Sequence, residues 1–150
     1  TINQYRFRLV IKIIPSRNNN QIQLFGLHLG NRLPAHATSA GKILLAQLEP
    51  DEQIQWLEKY PLKRLTKYSC TNNQDFMKLL AEIKEQDWCY SSEEHELGVH
   101  ALAVPIHNPK GQVIAALNIV SPTMRTTKEY LVEQILPLLQ ETARELRNVI

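Results

Sequence analysis

The 150-residue sequence lacks most of the features that announce a specialised chemistry. It has two cysteines, Cys70 and Cys89, too few for a disulfide-stapled secreted domain. Neither lies in a C-x-x-C or beside a histidine at metal-ligand spacing, so both read as reduced thiols of a cytoplasmic protein. No apolar run approaches the roughly 18–20 residues that span a bilayer, and no membrane partner is expected. There is no phosphate loop and no G-x-G-x-x-G fingerprint. Charge of one sign is also missing. Seventeen Lys plus Arg against fifteen Asp plus Glu leave +2, whereas a surface that binds nucleic acid needs a marked basic excess. What is present is an ordinary globular composition, 43% hydrophobic and 21% charged, in a chain of one-domain length. The chain opens on Thr1 with no signal-peptide pattern and goes directly into β-type residues, the pattern expected of a piece of a longer protein.

Residues 5–14 are dense in β-branched and aromatic side chains and read as a strand. The polar cluster 15–20 reads as a hairpin-like connection to a second strand over 21–27. A Pro-containing loop then delivers Thr38 or Ser39 as the N-cap of a helix carrying Ile43, Leu44 and Leu45. Pro50 opens a short helix over 51–59, and Phe76, Leu79, Leu80 and Ile83 mark the apolar face of another over 74–85. Strands are expected at 88–92, 99–107 and 112–120, the last two joined by the turn Asn108-Pro109-Lys110-Gly111. A long amphipathic helix over 127–149 has Tyr130, Leu131, Ile135, Leu138, Leu139 and Leu146 as its stripe, and Pro137 should kink it. Strands and helices alternate without a βαβ rhythm. The expected class is therefore α+β, an antiparallel sheet covered by helices on at least one face, with the 99–120 hairpin central.

Two segments could hold a ligand. The helix entry Ser39-Ala40-Gly41 is small enough for a carboxylate to approach the backbone, although Thr38 or Ser39 could equally be no more than a structural cap. Ala101 and Ala103 leave space beside a buried strand, and Asn118 is a lone amide within the apolar run 113–120. A buried amide needs a hydrogen-bond partner, either backbone or ligand. A two- or four-residue loop pairs Ala101 with Asn118 on one face, whereas a three-residue loop with a Gly111 bulge sends Asn118 to the other. Enzyme-like signals are weak. Ala37-Thr38-Ser39-Ala40-Gly41 lacks the first glycine of a nucleophile elbow. His95, His100 and His107 fit no metal-binding spacing, and Glu93, Glu94 and Glu96 read more simply as an exposed acidic turn.

The strings HLGNRLPAHATSAGKILLAQL, EEHELGVHALAVPI and GQVIAALNIVSP together resemble the C-terminal effector-binding domain of IclR-type bacterial transcription regulators. The resemblance runs to the branch controlling aromatic-acid catabolism, with HLGNRLPAHATS and YLVEQILPLL most like its 4-hydroxybenzoate-responsive activators. It implies a GAF-like or profilin-like fold with an antiparallel sheet of about six strands. It further implies a ligand-sensing module over 1–150 that is not an enzyme and needs no cofactor or metal. The family's winged helix-turn-helix DNA-binding domain is expected to be absent from this chain, so operator DNA would be met only through that other domain. Homo-oligomerisation as a dimer or tetramer is likewise implied. Carried over by position, the resemblance places the ligand carboxylate at Ser39 and Ala40. It lines the polar part with Ser91, Ala101, Asn118 and Val120, and gives Phe25, Leu33 and Val99 as apolar wall. That arrangement needs Ala101 and Asn118 on one face and so selects the two- or four-residue loop. The expected ligand is a small aromatic acid, 4-hydroxybenzoate or alternatively protocatechuate, its ring hydroxyl read by Asn118, Ser91, His36 or His100. An enzyme acting on a small carboxylic acid is the competing class.

Overall fold

A computed structural model describes residues 33–149 and the backbone of 8–13. The expected hairpin connection at 15–20, the strand at 21–27 and Phe25 lie outside the described residues. Four strands form one sheet in the order β1-β4-β3-β2, where β1 is Arg8–Ile13, β2 Cys89–Ser92, β3 Val99–His107 and β4 Val113–Pro122. The β2–β3 and β3–β4 pairs are antiparallel. By contrast β1 runs parallel to β4, so the described sheet is mixed rather than purely antiparallel. Parallel neighbours require a long crossover, and here the described residues between them form a 3-10 turn, three α-helices and two strands.

Because side chains alternate along a strand, β3 and β4 feed two separate cores. On one face Leu102, Val104, Ile106, Ala115, Leu117 and Ile119 pack against Leu131, Ile135, Leu136, Leu139 and Ala143 of the C-terminal helical segment. On the other, Ala103 and Ala116 meet α1 (Ser39–Leu45), α2 (Pro50–Lys59) and α3 (Asn73–Gln86) through residues such as Ile43, Leu57, Phe76, Leu80 and Ile83. The β3–β4 hairpin is thus central and covered on both sides.

Its register corrects the expected loop. Strand pairing resumes at His107 opposite Val113, leaving 108–112 as a five-residue turn, and shifts between Ile106 and His107. An odd loop alone would send Asn118 to the far face. The bulge restores the parity, so that Ala103 opposes Asn118 and Ala101 opposes Val120. Ala101 and Asn118 therefore share a face as expected, but diagonally rather than as direct partners.

The last helix is not continuous. After α4 (Lys128–Tyr130), residues Leu131–Ile135 form a π turn, and α5 runs Leu136–Leu146. The Leu136 N–H donates to the Leu131 carbonyl, five residues back. Pro137 follows at once, where a missing N–H favours such a break in the regular ladder.

Candidate ligand-binding site

The site begins with a cap. Thr38 is extended, and its Oγ1 accepts a hydrogen bond from the Gly41 N–H at 3.1 Å. Gly41 is required by packing: a Cβ there would lie 2.3 Å from the carbonyl oxygen of Ala35 in the preceding 3-10 turn. With Thr38 as the cap, the Ser39 hydroxyl has no local duty. It is fully buried, and its Oγ has no hydrogen-bond partner among the described residues. The Oδ1 of Asn118 is in the same condition, and Asn118 is only 5% exposed.

Both residues line one cavity of about 600 Å³ of non-atom space, counted out to its open mouth. Ala40, Val99, Ala101 and Val120 contribute to its lining, with Leu33, Ala37 and Thr38 on the α1 side. Alanine at 101 leaves space over β3, whereas Ala103 packs into the helix-side core. The remaining wall is the segment 93–96 together with Ser91. Glu93 adopts a left-handed backbone (φ 58°), and its carboxylate accepts the Gly98 N–H at 2.9 Å. Thr66 and Ser69 donate their hydroxyls to the carbonyls of Glu93 and Glu94, which clamps this wall from behind.

A buried ion pair crosses the base of that wall. Lys42 of α1 is 1% exposed, and its Nζ pairs with Glu94 Oε2 and donates to Ser91 Oγ at 3.3 Å. Ser91 in turn donates its proton to Glu94 Oε2. A lone buried ammonium would be strongly unfavourable, and the carboxylate and hydroxyl together offset its desolvation. The expectation that 93–96 is merely an exposed acidic turn is corrected in this respect: Glu94 is pulled inward by Lys42. Lys42 itself was not anticipated, though helical spacing puts it on the same buried stripe as Ser39, Ile43 and Ala46.

The two histidines fare differently. His36 is not among the cavity-lining residues, and its Nε2 donates to the Lys63 carbonyl at 2.9 Å. The backbone path of β3 brings His100 to the cavity wall. Its ring is occupied, however: Nδ1 meets the Tyr90 hydroxyl at 3.0 Å and Nε2 the Thr126 hydroxyl at 2.7 Å. Burial pulls the His100 pKa below 6.5, with the charge of Glu93 acting against it. Neither cysteine is bridged. Cys89 packs in the helix-side core, where burial pushes its thiol up to about 12. No group of three or more His, Cys, Asp or Glu able to hold a metal occurs among the described residues.

The described residues form an α+β sheet with a cavity at a helix entrance, lined by two buried polar atoms without partners among them. The chain matches the family described as the C-terminal domain of IclR bacterial transcriptional regulators over residues 1–148, and it belongs to that family. It is 72% identical over 134 residues to the Pca operon regulatory protein of Acinetobacter baylyi, covering 89% of this chain and 48% of that protein. It is 52% identical over 137 residues to the p-hydroxybenzoate hydroxylase transcriptional activator of the same organism, covering 91% and 51%. The chain thus spans about half the length of these curated relatives, a regulatory protein and a transcriptional activator. Among solved structures it resembles a double mutant of the PobR inducer-binding domain from Acinetobacter in complex with 3-hydroxybenzoic acid (TM-score 0.84, 54% identity, 88% of this chain and 75% of that one). It also resembles an IclR homologue from Microbacterium hydrocarbonoxydans in complex with 4-hydroxybenzoate (TM-score 0.69, 31% identity, 81% and 48%). No described helix is long and apolar enough to cross a membrane.

Proposed function

We propose that this chain is the inducer-sensing part of a cytoplasmic regulator of aromatic-acid catabolism, and that the cavity takes a small hydroxylated aromatic carboxylic acid, 4-hydroxybenzoate foremost. The observation that carries this reading is the pair of unpaired buried atoms, Ser39 Oγ and Asn118 Oδ1, lining one cavity. An unsatisfied buried polar group costs about 1–3 kcal/mol, and a ligand that supplies the missing partners recovers it. The relatives' complexes with 3- and 4-hydroxybenzoate support an aromatic acid as the ligand, and its ring would lie over Val99 and Ala101, with Leu33 as further apolar wall. A ten-heavy-atom acid at micromolar affinity needs about −8 kcal/mol, or roughly −0.8 kcal/mol per atom. That density of contact is available in an enclosed cavity and not on a flat surface.

A second reading, protocatechuate, is favoured by the higher identity to the Pca operon regulatory protein, 72% against 52%. The two acids differ by one ring hydroxyl. In either case the fold is read as GAF-like, with four strands in the described sheet against the about six that the resemblance implies. Operator DNA would be contacted by another part of the protein, and the sensor would work as a dimer or tetramer. Binding can shift such a regulator only through its different affinity for two arrangements of the assembly.

Thermal unfolding across a panel of aromatic acids tests the reading. At one hundred times its dissociation constant a bound acid adds about 2.7 kcal/mol of stability. A clear rise with 4-hydroxybenzoate or protocatechuate, and little with aliphatic acids of the same charge, is expected. An unchanged midpoint with every aromatic acid overturns it.

A further inference from the structure

We propose that Glu94 reads the ring hydroxyl and thereby fixes which way round the inducer lies. This rests on the aromatic-acid reading of the cavity and deepens it. Ser91 is unavailable as a donor to a ligand, because its only proton goes to Glu94 Oε2. The ring of His100 is held at both nitrogens, and His36 lies outside the cavity. Glu94 has both of its bonds on Oε2; its Oε1 has no partner among the described residues. A carboxylate oxygen accepts and never donates. It therefore suits a hydroxyl and repels a second carboxylate, and Glu93 and Glu96 on the same wall add to that repulsion.

Across the sheet from Ser91, the Asn118 amide can donate through Nδ2, and the Ser39 hydroxyl, which has no partner among the described residues, is a second donor lining the cavity. The unpaired atoms Ser39 Oγ and Asn118 Oδ1 are the independent sign that a ligand belongs here, and the Ser39 hydroxyl and Asn118 Nδ2, as donors, suit the inducer's carboxylate. The sheet register separates the two ends. Ser91 stands on β2 and Asn118 on β4, with Ala101 and Ala103 of β3 between them. Two strand spacings amount to about 10 Å, a gap of the order that a para-substituted ring bridges. Lys42 contributes by holding the acceptor in place. Its charge is taken up by Glu94, so it is not free to attract the inducer's carboxylate to the wrong end.

Calorimetric titration of the domain with 4-hydroxybenzoate, protocatechuate, benzoate, 4-methoxybenzoate and terephthalate tests this. The wild type should bind 4-hydroxybenzoate at least about tenfold more tightly (~1.4 kcal/mol) than benzoate or 4-methoxybenzoate, and should reject terephthalate, whose second carboxylate meets Glu94. In Glu94→Gln the hydroxyl preference should collapse and terephthalate should be admitted, because the amide donates where the carboxylate repelled. If that variant fails to fold with Lys42 left unpaired, Lys42→Met/Glu94→Gln removes both charges and should show the same two changes. A variant that keeps the wild-type preference and still rejects terephthalate overturns the role of Glu94 alone. A wild type that binds neither hydroxybenzoate nor protocatechuate overturns the aromatic-acid reading itself.

Discussion

The two faces of the β3–β4 hairpin are built from the same alternating strands, yet they do different work. Toward α5 the strands present Leu102, Val104, Ile106, Leu117 and Ile119, large side chains that interlock with Leu131, Ile135 and Leu139; the unpaired polar atoms named above both lie elsewhere. Toward α1 the same strands present Ala101, Ala103, Ala116 and Asn118; Ala103 and Ala116 pack into the helix-side core, and the cavity lies where Ala101 and Asn118 line it. One face is filled along its length; the other is filled at Ala103 and Ala116 and left open beside Ala101, where Asn118 Oδ1 and, from α1, Ser39 Oγ have no partner among the described residues. The difference teaches that binding capacity here is a local omission of packing, set into a sheet whose stability is secured on its opposite side.

Removing packing from the filled face should have the largest effect. Leu102 is fully buried, so Leu102→Ala should lower unfolding free energy by about 2–5 kcal/mol. Denaturant melts would show this, while the affinity of the remaining folded protein for 4-hydroxybenzoate stays within about threefold of wild type. A loss of affinity as large as the loss of stability would mean that the two faces are not separable. The converse substitution fills the open face. Ala101→Phe should weaken 4-hydroxybenzoate binding at least about a hundredfold (~2.7 kcal/mol) and change stability by no more than about 1 kcal/mol. Undiminished calorimetric affinity would show that the ring does not lie over Ala101.

How far these faces could be read from sequence depends on what each required. The run 99–107 reads as a buried-type strand and matches β3 residue for residue, because a short, nearly uncharged run ended by turn residues is a local signal. Thr38 and Asn72 cap their helices through side-chain bonds that neighbouring residue types make available. The turn defeated counting: Asn108 Oδ1 accepts from both Lys110 and Gln112, Gly111 takes φ 81°, and a bulge follows. No composition rule supplies that bulge, and it alone decides the face of Asn118. The stripe of the last helix slips for a related reason. The π turn at Leu131–Ile135 inserts an extra residue, so Leu136, Leu139 and Ala143 turn inward while Tyr130 and Leu138 stay exposed. Lys42 was overlooked because its burial depends on Glu94, a partner 52 residues away, which no local pattern records. As for the proposed contacts, Ser39, Ala40, Ser91, Val99, Ala101, Asn118 and Val120 were brought together by resemblance, and the fold places them around one cavity.

The unpaired hydroxyl offers a finer cut between the faces. Ser39→Ala removes a buried polar atom that has no partner among the described residues, so the ligand-free domain should gain up to about 1 kcal/mol. Affinity for 4-hydroxybenzoate should fall by about tenfold (~1.4 kcal/mol), since the carboxylate loses a donor. Stability and affinity moving in opposite directions is the signature of a group retained for the ligand. A substitution that destabilises the free domain would instead assign Ser39 to the architecture.

The smallest expected effect concerns pH and belongs to the filled face. His100 is buried there between Tyr90 and Thr126, and burial lowers its pKa from 6.5. The unfolded chain therefore takes up a proton near pH 6.5 that the folded protein resists until the pH is lower. The stabilisation from keeping His100 neutral is fully present above pH 6.5 and is lost as the pH falls through the lowered folded value. Melting temperature should accordingly decline below pH 6.5, and His100→Gln, which has no proton to gain there, should flatten the upper part of that decline. Affinity for 4-hydroxybenzoate should show no matching step in the same window, because the His100 ring is engaged on the packed side and not by the ligand. A step in affinity that disappears in His100→Gln would bring the histidine into the site and make the two faces of the sheet one coupled unit.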